Sequence, residues 1–316
     1  MPGKLQPDIL RCTVLGFTGK LREDLLVGGG IGEDAAVIRV PNGGFLVAAS
    51  DPVTGAGKNA GSLLVHINAN DIACKGGDPS WLIVTLIVPD RMGAEYIHDI
   101  MQEIHETCCE MGIAIAGGHT ELTDRYEQPV ISGTMLGITR HELSAGKIKE
   151  GDVILVTGHA GLEGMSIIAN DRPDIFAGIF TNEELEIIRS WGRDLSVVKP
   201  ARILRDFARY MHDPTEGGIN GALYEMQEGS NLSLELMREN IPISPLTLRA
   251  AEKLCFDPYS LISSGMLIAV IPADEVSHVQ SILKEEGIVS GIAGKFVKGE
   301  RLILDTHEEL WDILGR

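Results

Sequence analysis

The sequence predicts an α/β (α+β) protein of two domains, on three observations. Its 316 residues exceed what one core holds comfortably and suit two. Strand-length apolar runs alternate with helix-spaced stretches in both halves. The polar stretch His141–Gly151 interrupts that alternation near the middle, so the boundary is placed there, with domains at 1–145 and 146–316.

Residues 1–27 mix charge with isolated apolar positions, and Ile9, Leu15 and Phe17 read as an arm or short helix. Residues 35–40 and 45–50 read as strands joined by the turn Pro41-Asn42-Gly43-Gly44. The segment 52–61 is rich in glycine and small residues and reads as a loop, with Ser62 placed to cap the next helix. In that helix Leu63, Leu64, Ile67 and Cys74 share an apolar side, while Asn70 and Asp71 sit together toward the C-terminal half. Gly76-Gly77-Asp78-Pro79 stops it. Trp81–Val88 is an unbroken apolar run of strand length. Residues 92–111 form the clearest helix, because Ile97, Ile100, Met101, Ile104, Cys108 and Met111 recur at helical spacing, and this places the Cys108 thiol in the core. Ile113–Ala116 reads as a short strand leading into Gly117-Gly118-His119-Thr120-Glu121, and 129–139 as another strand. In the second half the strands are 152–157, 266–271, 292–297 and 301–304. Its helices run to about Asn170 and over 183–190, 197–211, 219–227, 245–255 and 275–286.

Composition narrows the function. The formal net charge of −18 disfavours nucleic acid, and it repels a nucleotide unless cations accompany it. No apolar run is long enough to cross a bilayer and Met1–Leu10 has no signal-peptide core, so no membrane role and a cytoplasmic location are expected. The five cysteines, at 12, 74, 108, 109 and 255, include no CxxC pair, and their spacing offers neither a disulfide framework nor a zinc site.

The chemistry gathers in 28–78. Asp34, Asp51 and Asp71 stand at the ends of separate elements, an arrangement that suits a hard cation. The neighbouring Gly28–Gly32 can lay backbone N–H groups against a polyphosphate; it reads equally as a mobile turn among solvated carboxylates. Asp71 lies near a helix C-terminus, where the dipole disfavours negative charge. Either a metal ion or Lys75 would offset it.

Six stretches in order carry a resemblance: Gly32-Glu33-Asp34-Ala35-Ala36, Ser50-Asp51-Pro52-Val53, Asn70-Asp71-Ile72-Ala73, Gly76-Gly77-Asp78-Pro79, Gly117-Gly118-His119-Thr120-Glu121 and Asp213-Pro214-Thr215-Glu216-Gly217-Gly218. With these the chain resembles the superfamily of aminoimidazole ribonucleotide synthetase, thiamine-monophosphate kinase, selenophosphate synthetase and hydrogenase maturation factor E. The resemblance implies the PurM-like fold: an N-terminal mixed sheet that closes a barrel across a homodimer, followed by a C-terminal α/β domain. It implies ATP held through Mg2+ and an oxygen activated by phosphoryl transfer, on a small molecule or on a partner's thiol-bound group.

Carried over by position, Asp34, Asp51 and Asp71 are metal ligands, with Asn70 and Thr120 as polar groups beside them. Gly30 and Gly32 lie on the phosphate side, and Lys58 and Asn59 reach the nucleotide from the loop 52–61, where Lys58 reads equally as a solvated lysine. Asp213, Thr215, Glu216, Gly217 and Gly218 face the cleft, and Asp213 also reads as a cap on the following helix. His119 stands where relatives commonly carry an acid, so Glu121 is expected to supply that metal contact and His119 to serve as general base or substrate contact. The second-domain motif is closest to the hydrogenase maturation branch, whose tail ends in a carbamoyl-carrying cysteine. Here the residues after Cys255 include no cysteine, so carbamoyl chemistry would need a partner thiol, and a non-catalytic nucleotide-binding regulator is the alternative. Cys12 lies too early and lacks the glycine motif for the selenide role.

Overall fold

The computed structural model describes residues 22–41, 43–53, 59–193 and 195–315, together with Ile9, Arg11, Leu15 and Lys20. Lys58, Cys12 and Phe17 lie outside the described residues.

The N-terminal half builds one mixed sheet from β1 (Leu25–Val27), β2 (Ala36–Arg39), β3 (Phe45–Val53), β4 (Asp78–Pro89), β5 (Ala114–Thr123) and β6 (Val130–Thr139), in the spatial order β1-β2-β3-β6-β4-β5. Only β4 and β5 run parallel, and helix α2 (Gly93–Met111) makes the crossover between them. With α1 (Ala60–Cys74) it covers one face, where Leu82, Val84, Leu86 and Met135 are buried. Cys108 is buried there too. Helix α1 sits very close to β6: a Cβ at Gly137 would lie 2.4 Å from Ile72 Cγ2. That approach carries Asp71 down to the level of β3. Among the described residues the other face has no helix, and Trp81, Ile83 and Ile138 remain 42, 41 and 41% exposed.

The C-terminal half forms a second, antiparallel sheet from β7 (Val153–Thr157), β8 (Tyr210–His212), β9 (Ser233–Leu236), β10 (Leu267–Ile271) and β11 (Ser290–Val297), ordered β8-β10-β7-β11-β9. Its helices are α3 (Leu162–Asp171), α4 (Asn182–Ser190), α5 (Val198–Leu204), α6 (Gly218–Ser230), α7 (Pro245–Leu254), α8 (Val276–Glu285) and α9 (Glu309–Leu314). Every residue of β10 is buried, as its unbroken apolar run requires. One apolar core runs without a break from Leu64 and Ile72 of α1 to Val198 and Leu204 of α5 and on to Leu267 and Ala269 of β10. The two halves are therefore packed on each other, and the seam is pinned by Asp78, whose oxygens accept from Arg202 Nε at 2.7 Å and Arg205 Nη1 at 2.9 Å.

Several elements differ from the sequence reading, among them β5, which runs on through Gly117–Glu121 to Thr123. Helix α1 starts after Asn59, which takes a left-handed φ of 59°, so Ser62 lies inside the helix and its hydroxyl accepts from Thr107 Oγ1 at 3.1 Å. The stretch 197–211 divides, because Tyr210, Met211 and His212 find partners in β10 and become a strand. Residues 301–304 form no strand: the Gln227 amide takes that pairing instead, accepting from Leu302 N–H at 2.9 Å and donating to Leu302 O at 3.1 Å. Among the described residues no helix is long and apolar enough to cross a membrane.

Candidate functional site

Four carboxylates converge on the seam between the halves. Asp34 precedes β2, Asp51 lies in the last turn of pairing of β3, Asp71 is on α1, and Asp213 follows β8 directly. The buried Asp71 carboxyl is pushed well above the usual carboxylate range, first by burial and then by the charges of Asp213, Asp51 and Asp34. Asp34 Oδ2 and Asp71 Oδ2 are buried without a hydrogen-bond partner. Cys74, one helical turn beyond Asp71, brings a thiol to the same place, and one ligand atom each from Asp34, Cys74 and Asp213 lie within 4.8 Å of one another.

Of the two nearby cations, Lys75 is engaged elsewhere and His212 is held by Asp34 at one edge of the cluster. Lys75 is fully buried, pairs with Glu33 and sits 5.1 Å from the centre of the Tyr210 ring. The other Glu33 oxygen accepts from Ala145 N–H at 3.1 Å. Of the two groups that could have offset Asp71, the lysine therefore serves Glu33. His212 Nδ1 is 2.6 Å from Asp34 Oδ1, and its Nε2 is 3.0 Å from Glu225 Oε2. Burial pushes this imidazole down, but the Asp34 and Glu225 carboxylates outweigh burial and hold it up at about 10, as an imidazolium. An excess of negative charge is left around Asp71, and charge of one sign beside a buried carboxyl is costly without a counter-ion. Oxygen donors from several elements, two of them unpartnered, are the donor set that Mg2+ takes.

The remaining sequence-predicted residues are distributed as follows. Asn70 is a tie between the halves: its Nδ2 donates to Leu195 O at 2.8 Å and its Oδ1 accepts from Val197 N–H at 2.9 Å, so both ends of the amide are used. Gly32 has a left-handed φ of 73° and packs on Glu225, and its carbonyl accepts from Tyr210 O–H. Gly30 folds over the Glu33 side chain, and Asn59 is exposed at the head of α1. Thr215 and Glu216 are half-buried beside Asp213. Gly217 and Gly218 open α6, and Gly217 N–H donates to Glu308 Oε2 at 2.6 Å. His119, Thr120 and Glu121 all lie on the exposed edge strand β5, where His119 Nε2 is 3.4 Å from Glu121 Oε2. The strand register aligns His119 with Thr85, Ser132 and Pro52, on the helix-free face. Asp51, one position away, turns to the opposite face.

Sequence reasoning gave no site role to His212, Cys74, Glu33 or Glu225. The first two had local signals, His212 being adjacent to Asp213 and Cys74 sharing a helix face with Asp71. Glu225 comes from α6 and is brought in only by tertiary packing.

Comparison with known proteins finds the AIR synthase related protein N-terminal domain at residues 32–139 and the corresponding C-terminal domain at 149–307. A protein of Methanocaldococcus jannaschii named for hydrogenase expression/formation is 27% identical, over 96% of this chain and 91% of its own length. Carbamoyl dehydratase HypE of Bradyrhizobium diazoefficiens is 28% identical, over 76% of this chain and 68% of its own. The crystal structure of hydrogenase maturation protein HypE in complex with ATP has a similar fold, with a TM-score of 0.68 at 20% identity, covering 83% of this chain and 79% of that one.

Proposed function

Because the chain belongs to the AIR synthase related family, we propose that it is an ATP- and Mg2+-dependent enzyme that activates an oxygen by phosphoryl transfer. The relatives named for hydrogenase formation and carbamoyl dehydration favour a carboxamide or carbamoyl oxygen, on a small molecule or on a partner's thiol. In such a reaction the amide oxygen attacks the γ-phosphorus, the bond to the ADP oxygen breaks, and ADP leaves. Loss of the phosphorylated oxygen as phosphate, with two N–H protons passing to solvent, completes a dehydration. The carrying observation is the Asp71 carboxyl, buried among Asp213, Asp51 and Asp34 while Lys75 is committed to Glu33.

Asp34, Asp51, Asp71 and Asp213 would hold Mg2+, which neutralises charge on the phosphates. His212 fixes the Asp34 carboxylate through its ion pair, and the Lys75–Glu33 pair fixes the segment just before it. Thr215 and Glu216 are the groups proposed for the acceptor side. The domains divide at 145/146. The apolar helix-free face around Trp81, Ile83 and Ile138 is where a second copy would close the barrel of a homodimer, since a soluble monomer rarely leaves so continuous a patch open.

Calorimetry with ATP, in Mg2+ and in EDTA, tests the reading. Binding in Mg2+ that disappears in EDTA and in Asp71→Asn is expected, together with ADP and phosphate release when carbamoyl compounds or a carbamoylated thiol peptide are supplied. Equal affinity in EDTA would sink the metal-held nucleotide, and binding without turnover on any acceptor would identify a regulator rather than an enzyme.

A further inference from the structure

We propose that Asp34, Cys74 and Asp213 form a site for a borderline-soft divalent cation of the Zn2+ class, held across the seam between the two halves. The inference goes beyond the Mg2+–ATP reading and concerns the nucleotide-free chain: Asp34 and Asp213 serve both readings, and Cys74 is the ligand that the Mg2+ reading does not use.

The geometry fits one ion. Tetrahedral coordination with a metal–sulfur bond of about 2.3 Å and a metal–oxygen bond of about 2.0 Å separates the two ligand atoms by about 3.5 Å. Cys74 Sγ and Asp213 Oδ1 are 3.6 Å apart. An Asp34 oxygen completes a triangle whose ligand atoms all lie within 4.8 Å. The Asp34 side chain is 8% exposed; its Oδ1 is taken by His212, and its Oδ2 is buried with no partner. Cys74 itself is completely buried. A second orphaned oxygen, Asp71 Oδ2, belongs to a neighbouring carboxyl outside that triangle.

The chemistry separates this ion from Mg2+. Magnesium takes oxygen ligands and gains nothing from a thiol, whereas thiolate sulfur selects Zn2+, Co2+ and Cd2+. The alternative use of the thiol is a single weak S–H bond to Asp213, and that leaves Asp34 Oδ2 orphaned. A cation satisfies all three side chains at once; on binding, the Sγ proton is released to solvent. Cysteine spacing along the chain offered no such site, because its ligands come from the β1–β2 link, α1 and the end of β8. Two ligands belong to the N-terminal half and one to the C-terminal half, so the ion would clamp them together.

The test is Co2+ titration of the purified full chain, without nucleotide and in a thiol-free reductant. A near-ultraviolet sulfur-to-cobalt charge-transfer band is expected, saturating at one ion per chain and abolished by Zn2+. Cys74→Ser should lose the band, Cys255→Ser should keep it, and Asp213→Asn should weaken Co2+ by at least about tenfold. Cadmium-113 NMR of the unmodified protein, where a sulfur ligand shifts the resonance downfield, reads the same site should Cys74→Ser fail to fold. No charge-transfer band at a Co2+ concentration that saturates binding by calorimetry, or a band that survives in Cys74→Ser, would overturn the proposal. Mg2+–ATP calorimetry on the same preparation keeps the two readings apart: nucleotide binding without the band removes only this inference, and the band without nucleotide binding removes only the other.

Discussion

Asp213 and Gly217 belong to one short motif, yet they end in opposite kinds of acid site. At Asp213 the chain enters a crowd: Asp34, Asp51 and Asp71 converge there, and two buried carboxylate oxygens lack partners. At Gly217 it meets a single carboxylate with its needs met. Glu308 Oε2 accepts from Gly217 N–H at 2.6 Å, and Oε1 accepts from Ile262 N–H at 3.1 Å and Leu310 N–H at 2.9 Å. The α6 N-terminus, which would suit a phosphate, is already occupied by a carboxyl group of the chain itself. Gly217 and Gly218 are required for close approach: a Cβ would lie 2.9 Å from Thr306 O at the first and 2.6 Å from Leu261 O at the second. The lesson is about donors. A buried acid surrounded by N–H groups holds the fold, and one surrounded by other acids calls for a cation.

The largest effect separating the two regions comes from removing one acid from each. Asp71→Asn should weaken Mg2+-dependent ATP binding by at least about a hundredfold, which is about 2.7 kcal/mol. In EDTA the same variant should melt higher than the parent, because it relieves carboxylate repulsion worth on the order of 1–3 kcal/mol. Glu308→Gln should do the reverse. It leaves Mg2+–ATP affinity alone and costs about 1–3 kcal/mol of stability, since an amide NH2 replaces an acceptor of buried N–H groups. Calorimetry and thermal melts of both variants decide the matter, and an affinity loss in Glu308→Gln equal to that in Asp71→Asn would erase the distinction.

A smaller effect is expected with pH. Burial pushes the Glu308 carboxyl up from 4.5 to about 7, against its three backbone N–H donors. A folded-state pKa above the unfolded one favours the native state while the group is protonated. That stability is complete below about 4.5 and is lost as pH rises through about 7, with a ceiling of about 3 kcal/mol. Asp71, raised in the same sense by burial and by its acidic neighbours, adds to the slope in the absence of metal. Urea unfolding in EDTA at pH 5 and at pH 7.5 should therefore show lower stability at the higher pH, and Glu308→Gln should flatten the difference. A slope unchanged in Glu308→Gln would mean that its N–H donors, rather than burial, set its charge.

Much of the acid crowd was legible in the chain, because Asp34, Asp51 and Asp71 each sit where a local pattern ends. The counter-charges were not. Lys75 is next to Cys74 in sequence, but its partner Glu33 comes from another part of the chain, and only packing decides between Glu33 and Asp71. Secondary structure was missed for a related reason. Tyr210–His212 continues the helical spacing of α5 in sequence, and pairing with Val270, Ala269 and Ile268 overrides it. Leu302 sits in an apolar run that looks like a strand, yet its backbone is paired by the Gln227 side chain. Local spacing reports which face of an element is apolar; it carries no record of which remote group fills a hydrogen bond or balances a charge.

The smallest expected effect concerns His119, which stands where relatives commonly carry an acid and which the sequence reading made a general base or substrate contact. It is 68% exposed, and its contact with Glu121 is a surface pair of little energetic weight. Three strand steps separate β5 from β3, about 14 Å at the usual strand spacing, and the two side chains leave opposite faces of the sheet. Within one subunit His119→Ala should change Mg2+–ATP affinity by less than about twofold, whereas, in the homodimer proposed above, its place on the helix-free face predicts a shift in the monomer–dimer equilibrium, read by analytical ultracentrifugation. A tenfold loss of nucleotide affinity that tracks dissociation would show that β5 of one copy reaches the acid crowd of the other. The comparison between a donor-rich and a donor-poor acid site would then need the partner's edge strand as a further source of ligands. A tenfold loss in a variant that stays fully dimeric would instead place the imidazole at the nucleotide directly, against the strand register that separates it from Asp51.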